Sequence, residues 1–381
     1  MSQLRLRRLE PDSAAHRRFF VRLQWRFYRD FPLWVPPLRV EAEKLLNPKR
    51  NPFFAHARMQ LFVAERDGEA VGRIAAILNE LHNQIHGDQV GFFGFFESVP
   101  DEAVARMLLH AAAEWIAQYG RTRLRGPVNP SMNDECGLLV EGFEYPPAIL
   151  MPYNPPYYAE LLEAVGLCKA KDLLAYELTS QALTDRLRRG QELVRQRYGI
   201  WVRAMDFRNR QLFRQDVEHI KEIYNRAWQP NWGFVRLTDA EMDALVKSLR
   251  QIADPELAIF AYRGDAPIGF ALALPDINQV LWYNRSGRLL PALWYLLTRR
   301  RSIDAMRILI LGILPEHQHL GADAVLYYEL ARRGLQRGIR RAEAGWVLED
   351  NWAMRNPLEK LLNARPYKRY RIYEAPVEEL R

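Results

Sequence analysis

Two stretches of this chain repeat one another at a fixed separation, which constrains the fold more tightly than any single motif in it. Ala64-Glu65-Arg66 and Val71-Gly72 recur as Ala261-Tyr262-Arg263 and Ile268-Gly269, 197 residues later. Asn154, Leu161 and Tyr176 recur as Asn351, Leu358 and Tyr373 at the same separation of 197. Between these anchors the spacing changes, and Gly94 and Gly120 match Gly312 and Gly338 at 218 residues. The second copy therefore gains 21 residues around Trp282–Ser302, and the first gains as many after Gly120, around Gly126–Pro147. An internal duplication sets the architecture. Each private insertion is a place for a private function, because binding and catalytic residues concentrate in loops.

With 381 residues, 49% of them apolar, the chain can build two domains with a core each. The expected boundaries are 1–179, a charged helical linker over 180–200, and 201–381. Cys136 and Cys168 form no CxxC pair, which points to a reducing, cytoplasmic setting. Met1–Glu10 is charged and lacks the apolar stretch of a secretory signal. The longest apolar run, Leu289–Leu297, is far short of the about 20 residues of a membrane span. A net charge of +8 with a pI near 9.4 admits nucleic acid, anionic lipid or a phosphorylated cofactor as partner. Of the 54 basic residues only eight are lysine. That bias suits bidentate phosphate contacts, and it is equally expected from the base composition of a genome.

Apolar alternation and turn residues predict the same element order in each copy. A hairpin comes first (Leu61–Glu65 with Val71–Leu78; Leu257–Tyr262 with Pro267–Leu274), then a bulged strand (Val90–Glu97, with Gly94 its candidate bulge; Met306–Leu314). A helix follows (Asp101–Tyr119, with Ser98 its candidate cap; Asp323–Gln336), then a strand (Arg121–Arg125; Ala342–Leu348). A short helix (Tyr157–Val165; Arg355–Leu362) and a closing strand (Leu173–Leu178; Tyr367–Tyr373) complete the unit. Residues 12–46 read as an aromatic, arginine-rich helical opening broken by Pro32, Pro36 and Pro37. Helices at Arg214–Trp228 and Asp239–Ile252 precede the second hairpin. This order makes an α+β sandwich.

One loop carries chemistry. Gln318-His319-Leu320-Gly321-Ala322-Asp323 follows Ile313-Leu314 and opens a helix. A helix's first amides are unpaired, its positive dipole end attracts an anion, and glycine lets the backbone come close. The element order and this loop resemble the GNAT superfamily of acyl-CoA N-acyltransferases, whose loop reads (Gln/Arg)-x-x-Gly-x-(Gly/Ala). The resemblance covers both halves and implies two tandem GNAT-like domains, each a mixed, largely antiparallel twisted sheet flanked by helices. It implies acyl-CoA as donor substrate, with Gly312, Ile313 and Leu314 along the pantetheine arm. Gln318, His319, Leu320, Gly321 and Ala322 would wrap the pyrophosphate, with Asn351 downstream, and amides near Ile313 and Leu314 would polarise the thioester. Asp323 departs from the motif's small residue and either brings a carboxylate to the pyrophosphate or caps the helix. The first copy reads Pro100-Asp101-Glu102-Ala103-Val104-Ala105 at this place, acidic and free of glycine. It is expected not to bind coenzyme A, and instead to shape the acceptor site or pack against the second half.

In the family a tyrosine about seven residues after the motif asparagine often donates a proton to the leaving thiol. Here that position is Leu358, and Leu161 in the first copy. Tyr367, Tyr370 and Tyr373 are substitutes by sequence, with core packing as their alternative. For the base, Glu343 and Glu349 share parity on one strand and so one face, and Asp276 follows the strand carrying Gly269. A solvated or capping role is the alternative for each. Asn278, together with Asn129, Asn133 and Glu135 of the first insertion, would line the acceptor pocket. His82 and His86 have helical metal-pair spacing and His317 and His319 flank Gln318, but no third ligand is supplied, so no metal is expected.

The run Leu289–Leu297, bracketed by Arg285, Arg288 and Arg299-Arg300-Arg301, suits a membrane interface or a buried flank. The opening Arg17-Arg18-Phe19-Phe20 with Trp25-Arg26-Phe27-Tyr28 is similar in character. The expected function is transfer of an acyl group, long chains included, from acyl-CoA to a primary amine on an amphipathic acceptor. Peripheral contact with the inner face of the membrane goes with it, and nucleic acid is not favoured as a partner. Tandem chains of this pattern are similar to the bacterial ceramide synthases, which N-acylate a sphingoid base. The alternatives are a Fem-like transferase drawing on aminoacyl-tRNA, and a non-catalytic acyl-CoA or nucleic-acid-binding module.

Overall fold

A computed structural model describes residues 3–381; Met1 and Ser2, the start of the charged opening, lie outside the described residues. The chain begins with a strand the arginine-rich opening did not suggest, β1 (Leu4–Leu9), antiparallel to β2 (Ala57–Arg66). It turns Leu9 into the core and leaves Arg5, Arg7 and Arg8 exposed. Asp67 and Gly68, at φ 52° and 83°, reverse the chain into β3 (Glu69–Asn79), where glycine takes the left-handed conformation without steric cost. β4 (Val90–Ser98) follows antiparallel to β3. The helix Glu102–Ala117 then buries Val104, Leu108, Leu109, Ala112 and Ile116 against the sheet. Its cap is Asp101, whose carboxylate accepts from the Ala103 N–H at 2.9 Å. The expected cap, Ser98, is fully buried and donates its hydroxyl to the Val99 carbonyl instead. β5 (Arg123–Gly126) runs parallel to β4. The first copy's insertion supplies β6 (Val128–Asn129), β7 (Glu135–Cys136) and β8 (Leu138–Glu141). A helix Tyr158–Val165 ends at the left-handed Gly166 and leads into β9 (Cys168–Thr179).

The second copy repeats this order with β10 (Ile200–Ala204), β11 (Ala258–Arg263), β12 (Ala266–Pro275), β13 (Ala305–Ile313), β14 (Arg341–Leu348) and β15 (Arg365–Pro376). Its helices are Arg210–Trp228 and Asp239–Leu249 ahead of β11, and Ala322–Gln336 between β13 and β14. Asp185–Tyr198 in the expected linker is helical. The α+β architecture read from the sequence is the observed one: antiparallel hairpin strands in each copy, with parallel pairing where β4 meets β5 and where β13 meets β14.

The compact units do not coincide with the two sequence halves. Unit 1 runs to Leu173 and adds Val280–Thr298 and Lys368–Arg381; unit 2 holds Leu174–Gln279 and Arg299–Tyr367. Each unit draws closing-strand residues from the other copy. In unit 1, β5 takes its second neighbour from β15, with Tyr373 opposite Gly126 and Pro376 opposite Arg123. In unit 2, β9 lies beside β14, with Ala175 only 3.0 Å from where a side chain on Gly345 would begin.

A tyrosine anchors the strand in each unit. Within unit 1 the Tyr373 hydroxyl donates to Glu163 at 2.9 Å; within unit 2 the Tyr176 hydroxyl donates to Glu359 at 2.6 Å. The fully buried Asp172 accepts from Arg369 at 3.1 Å and Arg371 at 2.8 Å in unit 1. Burial would raise its carboxyl, but the Arg371, Arg369 and Lys169 hydrogen bonds prevail and hold it below the ordinary carboxylate value. Its contribution is therefore present above the unfolded value of about 4 and is lost as pH falls below it.

Two outcomes follow. Residues 1–179 expressed alone lack the strand that pairs with β5 and are expected to show no cooperative melting transition by circular dichroism; a soluble, cooperatively melting fragment would contradict the exchange. Asp172→Ala takes the buried acceptor from the half-buried Arg369 and Arg371 guanidinium groups and is expected to cost about 2 kcal/mol in denaturant titration at pH 7.

Candidate active site

The second copy's parallel strands part company. β13 and β14 pair from Ala305 opposite Arg341 to Ile308 opposite Ala344, and no further. β13 meanwhile stays on β12 as far as Gly269 opposite Ile313. The register slips between Leu272 opposite Ile310 and Ala273 opposite Ile308, so the strand is bulged, as expected, and Leu309 is the bulged residue. An extra residue bends the strand, and the bend swings its second half away from β14. Gly312 serves another purpose. A side chain there would begin 2.2 Å from the Trp228 ring, so glycine lets that indole lie on the strand. Tyr224 stacks on Trp228 with ring centroids 5.0 Å apart, and Phe234 meets Tyr224 edge-on at 5.5 Å. This aromatic wall went unread in the sequence; its signal was the aromatic turn Trp228–Phe234 between two helices.

The phosphate loop is more ordered than the motif suggests. Pro315–Leu320 wind into a 3-10 turn, Gly321 takes φ 76°, and the helix begins at Ala322 with this glycine as its N-cap. The nearest side chain to Gly321 is Val194, 3.2 Å from where a Cβ would stand. A helix end of this kind, led by a left-handed glycine, fits a diphosphate. The Asp323 carboxylate accepts from the Asp323 and Ala324 N–H groups of the helix's first turn, and burial pushes it above the ordinary value against those two hydrogen bonds. Gln318 donates to the Ile313 carbonyl at 3.3 Å, His319 is exposed and Leu320 buried. The Leu314 N–H donates to the Ile268 carbonyl at 2.9 Å, so it is already engaged and cannot polarise a thioester as expected. Asn351 caps the helix Trp352–Asn356 through Met354 N–H and donates to Asn231 at 3.2 Å, tying the aromatic turn to the end of β14.

Of the candidate bases, Glu343 lies at the foot of the gap. It pairs in register with Arg307 where the strands are still joined, and both are buried. The Arg307 guanidinium donates to the Gly345 carbonyl at 3.1 and 2.9 Å, and the Tyr367 hydroxyl donates to Glu343. Glu349 follows β14, half-buried, with its carbonyl accepting from Arg355. Asp276 and Asn278 are not brought to the loop. The Asp276 N–H donates to Ala305 at the start of β13, whereas the loop follows that strand's end. At about 3.3 Å per residue the two sites stand roughly 30 Å apart. Tyr373 lies in unit 1 on Glu163, where burial and that carboxylate raise its hydroxyl. Leu358 is fully buried.

The corresponding gap in unit 1 is filled. β4 and β5 part after Phe92 opposite Arg125, with the bulge at Phe95, φ 51°. β6 enters that space: Asn129 accepts from the Phe95 N–H at 2.6 Å, and the Val128 carbonyl lies 1.7 Å from where a side chain on Gly94 would begin. Glu135 sits opposite Asn129 in the β6–β7 pair, and the Asn133 N–H donates to Ser131. In unit 1 these three residues build the filling of the gap. Asp101 pairs with Arg66 at 2.6 Å. His82 and His86 stack at 4.6 Å beside Asp88, and burial, then His86 and Arg125, push His82 down to about 4. Among the described residues no three potential ligands converge on a metal position.

No protein-family model matches the chain. It is 35% identical over 375 residues to the bacterial ceramide synthase of Caulobacter vibrioides, covering 95% of each. It is 34% identical over 367 residues to protein YghO of Escherichia coli, covering 94% of this chain and 92% of that one. Among solved structures, a tandem GNAT protein from the clavulanic acid biosynthesis pathway superposes with a TM-score of 0.59 at 15% identity, over 98% of this chain and 99% of that one.

The position of Asp323 makes a signed prediction. Asp323→Asn removes a carboxylate beside the helix end and is expected to tighten coenzyme A binding about fivefold at pH 8, for about 1 kcal/mol of relieved repulsion. Because burial raises this carboxyl, the gain should shrink as pH falls and the native side chain becomes neutral. Calorimetric titration at several pH values decides it; weaker binding by the variant would place the anion elsewhere.

Proposed function

This chain belongs to the family that contains the Caulobacter ceramide synthase and YghO and is an acyltransferase of the tandem GNAT fold; from that premise we propose that it moves an acyl group from acyl-CoA to the primary amine of an amphipathic lipid of the sphingoid type. The observation that carries the donor assignment is the open gap in unit 2, where β13 leaves β14 directly before a glycine-led helix end. The gap of unit 1 is taken by β6, so we assign acyl-CoA to unit 2 alone. The wall of Tyr224, Trp228 and Phe234 supports an apolar chain as part of the substrate, and the name of the Caulobacter relative supports the sphingoid base. Such an amine resides in a bilayer, so the reaction belongs at a membrane surface. Among the described residues no helix is long and apolar enough to cross a membrane.

In the reaction a neutral amine attacks the thioester carbonyl. A C–N bond forms, the C–S bond breaks, and coenzyme A leaves as a thiolate. With an ordinary thiol value of about 8.5 that departure needs no obligatory acid. The proton released by the amine does need an acceptor. Glu343 is the group we assign, acting through the Tyr367 hydroxyl it holds; a buried hydrogen-bonded pair of this kind relays a proton along a fixed path. The first amides of the helix at Gly321 and Ala322 would hold the diphosphate.

The test is a melting-shift series against coenzyme A thioesters of increasing chain length, followed by thiol release with a sphingoid amine. Glu343→Gln is expected to keep the acyl-CoA melting shift and to lower kcat by about 100-fold or more. A shift with no thiol release from any amine would reduce the protein to a binding module. Salt-sensitive RNA binding without an acyl-CoA shift would favour the tRNA-dependent alternative.

A further inference from the structure

The second copy's insertion belongs to unit 1, and main-chain carbonyls fasten it there. The Trp282 indole donates to Pro32 at 2.7 Å, the Trp25 indole to Arg285 at 2.8 Å, and the Arg39 N–H to Gly287 at 2.9 Å. Arg285 turns inward to the Trp34 carbonyl. Gly287, at φ 63°, admits the Trp25 ring, which would meet a Cβ at 2.3 Å. These contacts fix the start of the helix Leu289–Arg299, in which Ala292 alone is buried.

The opposite stripe is apolar and faces water. Leu290 is 78% and Leu297 85% exposed, with Leu289, Leu293 and Trp294 about half exposed. Their spacing is that of one helical face, and Trp282 and Tyr283 extend the patch. Fully burying one such side chain is ordinarily worth about 1.5–3 kcal/mol, so this helix carries its apolar face on the wrong side for a core. The segment that carries it has charge of one sign. No Asp or Glu occurs from Ile277 to Ile303. Arg22, Arg39 and Arg288 crowd together near the helix start, and burial, then the charges of Arg22 and Arg288, pull Arg39 below its ordinary value. Arg299-Arg300-Arg301 follow the helix in the chain. The other aromatic segment, at the opening, is different: Phe20, Phe27, Tyr28 and Trp34 are buried core.

We infer that the helix Leu289–Arg299 docks on an anionic bilayer, its leucine stripe and Trp294 entering the headgroup–acyl boundary while the flanking arginines meet lipid phosphates. An aromatic, leucine-rich face rimmed by arginine is the composition such an interface selects. A second copy is a poorer occupant. One helix of 11 residues supplies only part of the about 800 Å² per partner that a stable interface needs, and its cationic rim would repel the same rim on a twin. The inference deepens the lipid-amine reading by giving the acceptor's bilayer a docking site, yet does not require that acyl transfer occurs.

The full-length protein is sedimented with phosphatidylcholine vesicles, with and without phosphatidylglycerol. The expected result is binding to the anionic vesicles, weakened about 10-fold or more in Leu290→Glu/Leu297→Glu, with melting temperature and acyl-CoA melting shift unchanged. Arg288→Glu/Arg300→Glu/Arg301→Glu should lose the preference for anionic vesicles, about 100-fold for three charges. Equal binding by the leucine variant, or equally tight binding of the native protein to neutral vesicles, would overturn the inference. So would a native dimer that the leucine variant renders monomeric. Vesicle binding without any thiol release would leave this inference standing and remove the acyl-transfer reading.

Discussion

The reciprocal placement of the two closing strands is the constraint from which the other features follow. β5 has β4 on one side and would be an open edge on the other, and β15 closes it. An uncovered edge exposes a row of backbone donors and acceptors and invites wrong pairing. The exchange also explains why both closing strands keep the separation of 197 residues from end to end, Cys168–Thr179 against Arg365–Pro376, although the chain between the anchors varies. Each strand must present the same residues to a sheet built mainly by the other copy. Tyr373 on Glu163 and Tyr176 on Glu359 show this in detail: one tyrosine position, repeated, finds a glutamate on a short helix in each unit. Hydrogen bonds from a buried hydroxyl to a carboxylate are among the stronger ones. Burial and Glu359 push Tyr176 to about 12, the direction expected of a hydroxyl that keeps its proton and donates it.

Within that frame, the two copies differ in what occupies one gap. Wherever parallel strands part, backbone groups that would have paired need other partners. Unit 1 supplies them from its own insertion, with Asn129 on the Phe95 N–H and Val128 pressed against Gly94. Once that space is filled, nothing there requires an anion site, and Asp101 is left to cap its helix and pair with Arg66. Unit 2 has no such filling strand; its helix begins at a left-handed glycine. Duplication followed by an insertion in each copy thus accounts for a pair of similar units in which one gap is filled from its own insertion and the other is not.

The features legible in the sequence were those that depend on local backbone geometry. Hairpins and the helix Ala322–Gln336 were read correctly because turn chemistry and periodicity are local. β1 was missed because Arg5, Arg7 and Arg8 mask the period of a strand with a single buried end. Both bulged strands were read as such, but the part of Gly312, a glycine under an indole, is not legible until Trp228 is in view. Asp276 and Asn278 were expected near the cleft because they end the strand that carries Gly269. Antiparallel pairing instead puts that end beside Ala305, at the start of β13. The pairing of Tyr367 with Glu343 was half visible, as two separate candidates on two strands; only the fold joins them. Strand exchange left no trace, since the repeat is the same whichever partner each strand chooses.

The equal insertions solve opposite problems. The first is compact and turned inward, its Val128, Met132 and Cys136 buried. The second builds a helix too short to be stable alone in water, where about 12–15 residues are marginal. Its order comes from outside, through Trp25, Trp282, Arg39 and Arg285 holding the segment before it. A chain that merely tolerated an apolar insertion would let it fold back or fray, because exposing Leu290 and Leu297 has no return in the folded protein. Fastening the root of the helix while leaving its leucine face in water orders a surface ahead of any contact. That lowers the ordering cost when a partner arrives. The stability forgone on that face is recovered only where an apolar partner covers it.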